Sequence, residues 1–171
     1  MTINEVRVPP FYDNYIKSNI TEDLQEALLT SRRKLLKLAK KISEKQSDFA
    51  YAEGKWTIKE LLQHIIDVER VFCYRALSFV RKDAAPLPGF DENSWAANSK
   101  AFNRKWKDLV SEFKSVRKAS IAFFENLDDE QLSSAGIANN NESNVIGIGF
   151  VVSGHVLHHC KIIKERYLNR N

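Results

Sequence analysis

Lys55-Trp56-Thr57-Ile58-Lys59-Glu60-Leu61-Leu62-Gln63-His64 is the stretch from which the rest of the chain can be read. Thr57 and Glu60 have the spacing of a capping box, in which each side chain satisfies an orphan backbone donor of the first helical turn. Trp56 before the cap and Leu61 after it are placed for a hydrophobic staple. Beyond the cap, Leu61, His64, Val68, Val71, Phe72, Arg75 and Phe79 return to one face at helical spacing. The run Ala85-Pro86-Leu87-Pro88-Gly89 cannot continue a helix, so this one is expected to end before it.

Three further helices follow from the same periodicity. Over residues 21–42, Leu24, Leu28, Leu35, Leu38 and Ile42 form a buried stripe, with Glu22 and Asp23 expected in the first turn. Arg32, Arg33, Lys34, Lys37, Lys40 and Lys41 crowd its second half, where they suit the helix dipole and read as a solvated face rather than a phosphate site. A loop over 84–95 carries Phe90 and Trp95, and a third helix carries the stripe Phe102, Trp106, Leu109, Phe113, Val116, Phe123 and Leu127. Residues 128–144 read as a polar connection with a short helical turn at 129–132, and the fourth helix is expected over 144–168. Strand-type alternation is nearly absent. The expectation is an all-α four-helix bundle, one domain over 1–171, with an arm at 1–20 and the bundle at 21–168.

Composition narrows the function. The chain has 171 residues, 43% of them hydrophobic, enough for a real core. Its 26 basic and 22 acidic residues leave a formal +4, short of a dedicated nucleic-acid binder. Cys73 and Cys160 fit neither a disulfide framework nor a metal knuckle, and read as buried small hydrophobes in a reducing compartment. Residues 1–11 lack the apolar region of a signal peptide, and the apolar run 145–157 is too short to span a bilayer. A cytoplasmic protein with neither nucleic acid nor membrane as partner is expected.

The four histidines are His64, His155, His158 and His159. On a helix His155 and His159 lie about 40° apart and one turn along the axis, so two imidazoles can converge on one ion. Ile148, Val152, Ile162 and Ile163 share their side, which points both histidines at the core, and His64 occupies the apolar face of its own helix. One divalent metal would satisfy three inward imidazoles together, whereas a lone inward histidine is ordinarily a core residue with a hydrogen-bond partner. His158 sits at the edge of that face. Periodicity alone leaves open whether the two helices face each other.

The stretch from Lys55 through Arg70, the continuation Phe72 to Arg81, the segment Pro86-Leu87-Pro88-Gly89-Phe90-Asp91 with Trp95, and the closing Gly154-His155-Val156-Leu157-His158-His159 together resemble the DinB/YfiT-like superfamily. The likeness spans residues 9–168 with every element in the family order. It implies a four-helix bundle with a long crossover connection. It also implies one divalent metal, nickel or zinc, held by His64, His155 and His159, with His158 outside the ligand set. Family members are often homodimers. Characterised ones use the metal to activate a low-molecular-weight thiol, as in bacillithiol-dependent transferases and mycothiol-dependent isomerases. Many others are called metal-dependent hydrolases without a known substrate.

The expected activity is therefore metal-dependent transfer or hydrolysis of a small molecule, with a thiol or a water activated at the metal. A metal-binding or sensing protein without turnover is the alternative. Asp67, one turn after His64, is a candidate to orient a ligand imidazole. Phe90 and Trp95 are candidates to roof the metal pocket and contact substrate, although both can equally plug the end of the bundle. Arg75 lies inward about 16 Å along the helix from His64, where a buried ion pair or a snorkelling side chain is the plainer reading than an anionic substrate. Glu69 is roughly opposite His64, Arg166 suits the helix dipole, and both cysteines are turned away from the histidines.

Overall fold

Thr57 caps its helix as the local sequence requires: its hydroxyl accepts from the Glu60 N–H at 3.2 Å, and the Glu60 carboxylate accepts from the Thr57 N–H at 2.7 Å. The computed structural model describes residues 2–168. In chain order its elements are α1 (Asp13–Lys17), α2 (Leu24–Ala39), α3 (Glu44–Ser47), α4 (Ile58–Val80), α5 (Glu92–Asn98), α6 (Trp106–Glu125) and α7 (Asp129–Ser133). A hairpin of β1 (Ala135–Ala138) and β2 (Asn141–Asn144) follows, then α8 (Val145–Ile162), which continues into a π-helical turn, Ile163–Leu168.

The four long helices are α2, α4, α6 and α8. Each of α2 and α4 packs against both α6 and α8. Consecutive long helices α2 and α4 are thus diagonal partners, as are α6 and α8, and the connections over 40–57 and 126–144 cross the bundle ends. This is the crossover topology, and it places the two histidine-bearing helices α4 and α8 side by side.

Several boundaries differ from expectation for local reasons. Asp23 lies before α2 as its N-cap, accepting from the Glu26 N–H at 2.7 Å, so neither Glu22 nor Asp23 is in the first turn. Phe102 is 61% exposed in a separate 3-10 turn, Ala101–Asn103, and α6 begins only at Trp106. The loop over 84–95 includes the start of α5, which Asp91 caps by accepting from the Ser94 N–H. The connection over 128–144 ends in the hairpin, whose turn residues Asn139 and Asn140 have φ of 50° and 60°, as a tight two-residue hairpin turn demands. Leu87 pairs with this hairpin through its N–H to the Ile137 carbonyl and its carbonyl to the Asn139 N–H, both at 2.9 Å.

α8 is apolar on nearly every side. With its π-helical turn it is long and apolar enough to cross a membrane by length and composition, but 78% of that apolar window is buried inside the protein, the setting of a core helix. The N-terminal arm supplies part of the cover. A Cβ on Gly154 would lie 1.9 Å from the Tyr15 carbonyl oxygen, so the close approach of α1 to α8 requires glycine there. Asn144 caps α8 through the Gly147 N–H and also bonds the backbone of Glu5 and Arg7, tying the arm down.

The apolar interior falls into two clusters, one around Leu28, Phe79, Phe124 and Phe150, the other around Leu35, Leu62, Phe113 and Ile163. Between them lies Arg117, fully buried on α6. Its Nε and Nη2 donate to the two oxygens of Glu69 at 2.7 and 2.8 Å, while Nη1 donates to the Leu28 carbonyl and the Ser31 hydroxyl. Nη2 also reaches the Val152 carbonyl at 3.4 Å. Removing one partner strands the other as a buried charge, a loss of about 3–5 kcal/mol. Glu69→Ala is therefore expected to lower unfolding free energy by that amount in urea titrations. A well-packed double replacement of Glu69 and Arg117 by apolar residues should cost markedly less.

Candidate metal centre

His64 on α4 and His155 and His159 on α8 turn their ring nitrogens toward one point. His155 Nε2 lies 3.0 Å from His64 Nε2 and 2.9 Å from His159 Nε2, and the three ligand atoms all fall within 4.8 Å of one another. The i,i+4 spacing on α8 accounts for the second distance, and the side-by-side packing of α4 and α8 for the first. His158, expected outside the trio, packs its ring against Tyr15 and His159 instead.

This arrangement fits a cation better than it fits hydrogen bonding. A neutral imidazole nitrogen carries either one N–H or one lone pair, so His155 Nε2 cannot complete an ordinary hydrogen bond to both neighbours. Histidine–metal distances of about 2.0–2.1 Å place ligand nitrogens about 2.9–3.4 Å apart at angles between about 90° and 109°. Burial also keeps the imidazoles neutral, as ligation needs. It holds His64 down to about 4 and pushes His155 and His159 well below the usual histidine range. The neighbouring histidines depress both further, and the buried Arg117 adds to the effect on His155. His159 Nδ1 is buried with no hydrogen-bond partner inside the protein.

Two clefts reach this cluster, one at His64 and His155 and one at His159. One of about 100 Å³ is bounded by Tyr12, Tyr15, His64, Phe72, Arg75 and Phe90 among others. The other, about 210 Å³, lies between Trp56, Asn93, His159 and Arg166. Rings enclose the histidines: Trp56 lies 4.8 Å from the His64 ring, and Tyr15 meets His155 edge-on at 5.5 Å.

Of the remaining candidate residues, Phe90 borders the first cleft, and the Trp95 ring lies against it at 4.6 Å, tilted by 34°, while staying 43% exposed. The Asp67 carboxylate accepts from Gln63 Nε2 at 2.8 Å and lies 3.7 Å from Arg70 Nη1. Arg75 is buried but forms no ion pair among the described residues; its Nη2 donates to the Pro88 carbonyl. Glu69 belongs to Arg117, and Arg166 donates to the Tyr51 hydroxyl. Burial raises the Cys73 thiol to about 11 and the Cys160 thiol to about 12, which leaves both inert near neutrality. Sequence reasoning missed Tyr12, Tyr15, Trp56 and Asn139. Tyr12 and Tyr15 have helical spacing in an arm that periodicity could not place, and Trp56 was assigned only to its staple.

Residues 27–163 match the sequence model of the DinB superfamily. The chain belongs to this family. A curated relative from Oceanobacillus iheyensis, named a "putative metal-dependent hydrolase", is 25% identical over 155 residues, 88% of each chain. Among solved structures, YfiT from Bacillus subtilis, described as a probable metal-dependent hydrolase with an unusual four-helix bundle topology, superposes with a TM-score of 0.66. That match covers 94% of this chain and 90% of YfiT at 17% identity, which is a likeness of fold.

The depressed imidazole pKa values carry a stability consequence. Below about pH 6.5 the unfolded chain takes up protons that the folded, metal-free site refuses, so stability is intact above that pH and is lost as the pH falls toward 4. His64 alone accounts for roughly 3 kcal/mol at about 1.4 kcal/mol per unit. Urea midpoints of the metal-free protein should fall steeply between about pH 6.5 and 4.5, and His64→Gln should flatten that slope.

Proposed function

We propose that the protein is a divalent-metal-dependent enzyme of the DinB superfamily, in which His64, His155 and His159 hold the ion. The observation that carries this reading is the convergence of three Nε2 atoms at a spacing that hydrogen bonds cannot satisfy. Nickel and zinc, the ions the family likeness implies, are both among the metals that imidazole ligands suit. When bound, the ion supplies a means of holding a water as hydroxide or a thiol as thiolate near neutral pH.

The chain's own residues set the conditions. Burial keeps all three imidazoles neutral, so their lone pairs are available. Tyr15 and Trp56 fix ring orientation from either side. Phe90, backed by Trp95, covers the first cleft and limits water in it. That cleft favours a small-molecule substrate over a polymer, for hydrolysis or for transfer to a low-molecular-weight thiol. Asp67, already engaged by Gln63 and Arg70, acts in this reading on the outer setting of α4 rather than on the ligand. Both thiols are free, which agrees with a cytoplasmic protein, and family likeness supports a homodimer.

Elemental mass spectrometry on untagged protein purified without chelator tests the site. About one equivalent of nickel or zinc is expected in wild type, and less than about a tenth in His64→Ala or His155→Ala with helical circular dichroism retained. Full occupancy in both variants would sink the ligand assignment.

A further inference from the structure

Arg75 has an unusual setting for a buried cation. It is 4% exposed on α4, on the same cleft as His64 and His155, yet no Asp or Glu pairs with it among the described residues. The Phe72 ring lies 5.2 Å from its guanidinium carbon and the Phe90 ring 5.9 Å away, so aromatic rings cover its flat surface. Contact with Phe72, three residues earlier, shows the side chain leaning toward the start of α4 and hence toward His64. Nη2 donates to the Pro88 carbonyl at 2.9 Å, and the Tyr12 phenol oxygen is a second acceptor facing the guanidinium. Nε is buried without a partner.

A guanidinium has five N–H donors, and a buried one left short of acceptors is costly unless something else fills the gap. The Pro88 carbonyl is not an accidental acceptor. Leu87 is pinned to the hairpin on both its N–H and its carbonyl, and a Cβ on Gly89 would lie 2.2 Å from the Asn139 side-chain oxygen. The loop therefore holds the guanidinium at a fixed tilt while leaving its Nε–H without an acceptor. Among the described residues Glu92 is the one carboxylate bordering this cleft; it is solvent-exposed, and although its charge reaches Tyr12 and Tyr15 it forms no ion pair with Arg75.

We propose that Arg75 anchors the carboxylate of a small substrate, so that the cleft takes carboxylic acids whose other end lies at the three histidines. As a statement about substrate it rests on the metal-site reading above. A carboxylate matches the planar fork through Nε–H and one Nη–H, the strongest geometry open to this side chain. At the Arg75 end of the cleft a phosphate dianion is the poorer match, since among the described residues Arg75 is the one buried side-chain cation bordering it. A space of about 100 Å³ is below the roughly 150 Å³ of a cavity that admits benzene, so the buried part of the ligand is an acid of a few carbons.

Titration calorimetry with butyrate, its neutral isostere butyramide and inorganic phosphate tests this on as-purified protein, repeated after chelator treatment. Butyrate is expected to bind at least about ten-fold more tightly than butyramide in both preparations, and more tightly than phosphate. That ratio should collapse to below about two in Arg75→Met and persist in His64→Ala. Arg75→Lys keeps the charge but lacks the fork, and should cut the ratio at least about three-fold; it decides the matter if Arg75→Met does not fold. Equal binding of acid and amide, tighter binding of phosphate, no heat with butyrate at millimolar concentrations, or an unchanged ratio in the Arg75 variants would each overturn the proposal. The ratio is read with and without metal. A protein that keeps it but binds no metal refutes the metal reading alone, and one that binds metal without it refutes the anion site alone.

Discussion

The buried Arg117–Glu69 pair is the constraint around which the bundle is arranged. From α6 its guanidinium reaches Glu69 on α4, the Leu28 carbonyl and Ser31 hydroxyl on α2, and the Val152 carbonyl on α8. One side chain therefore ties all four long helices at one level. Such a pair adds little net stability over apolar packing, because desolvation offsets most of its attraction. Its effect is on register: an apolar core tolerates small slides of one helix along another, whereas a bidentate pair with three further acceptors does not.

Register is what the histidines need. Glu69 follows His64 by five residues on α4, and Val152 precedes His155 by three on α8. The pair thus fixes both histidine-bearing helices within about two turns of the ring nitrogens. Its charge has a second effect, since Arg117 disfavours protonation of His155 and helps keep that imidazole neutral. Rigid helices fix the nitrogens, while the arm and connections close the space around them. Tyr12 and Tyr15 come from the arm, Trp56 from the lead into α4, and Phe90 from the loop after it.

How much of this was legible in the sequence follows from the range of each interaction. The Thr57–Glu60 cap spans three residues, the stripe of α2 a few turns, and the His155–His159 pair a single turn, so local periodicity sufficed for each. Family resemblance supplied the long-range step of setting His64 against α8. Arg117 broke the same method, because a fully buried arginine inside the stripe of α6 looks like a surface residue until Glu69 is placed opposite it. Phe102 failed in the opposite sense: it continues the spacing of that stripe, but the helix stops short of it and it is exposed. The hairpin was hidden because its turn uses two asparagines at positive φ rather than the glycine that usually marks one. Arg75 sat on the expected face, but its acceptor comes from a loop whose course depends on that hairpin.

These dependencies divide the site into two parts with different freedom to vary. The three ring nitrogens are held by α4 and α8, where any change of register would separate them. Arg75 shares α4 with His64, but its orientation comes from Pro88, and Pro88 is set by Leu87 against β1. A change in the length or turn chemistry of residues 84–95 or 135–144 would therefore re-aim the guanidinium while leaving the histidines in place. Functional variation on a shared scaffold is expected in such connections rather than in the helices that carry the chemistry. In this chain the metal-binding potential belongs to the bundle, and the choice of what reaches it belongs to the loop and the hairpin.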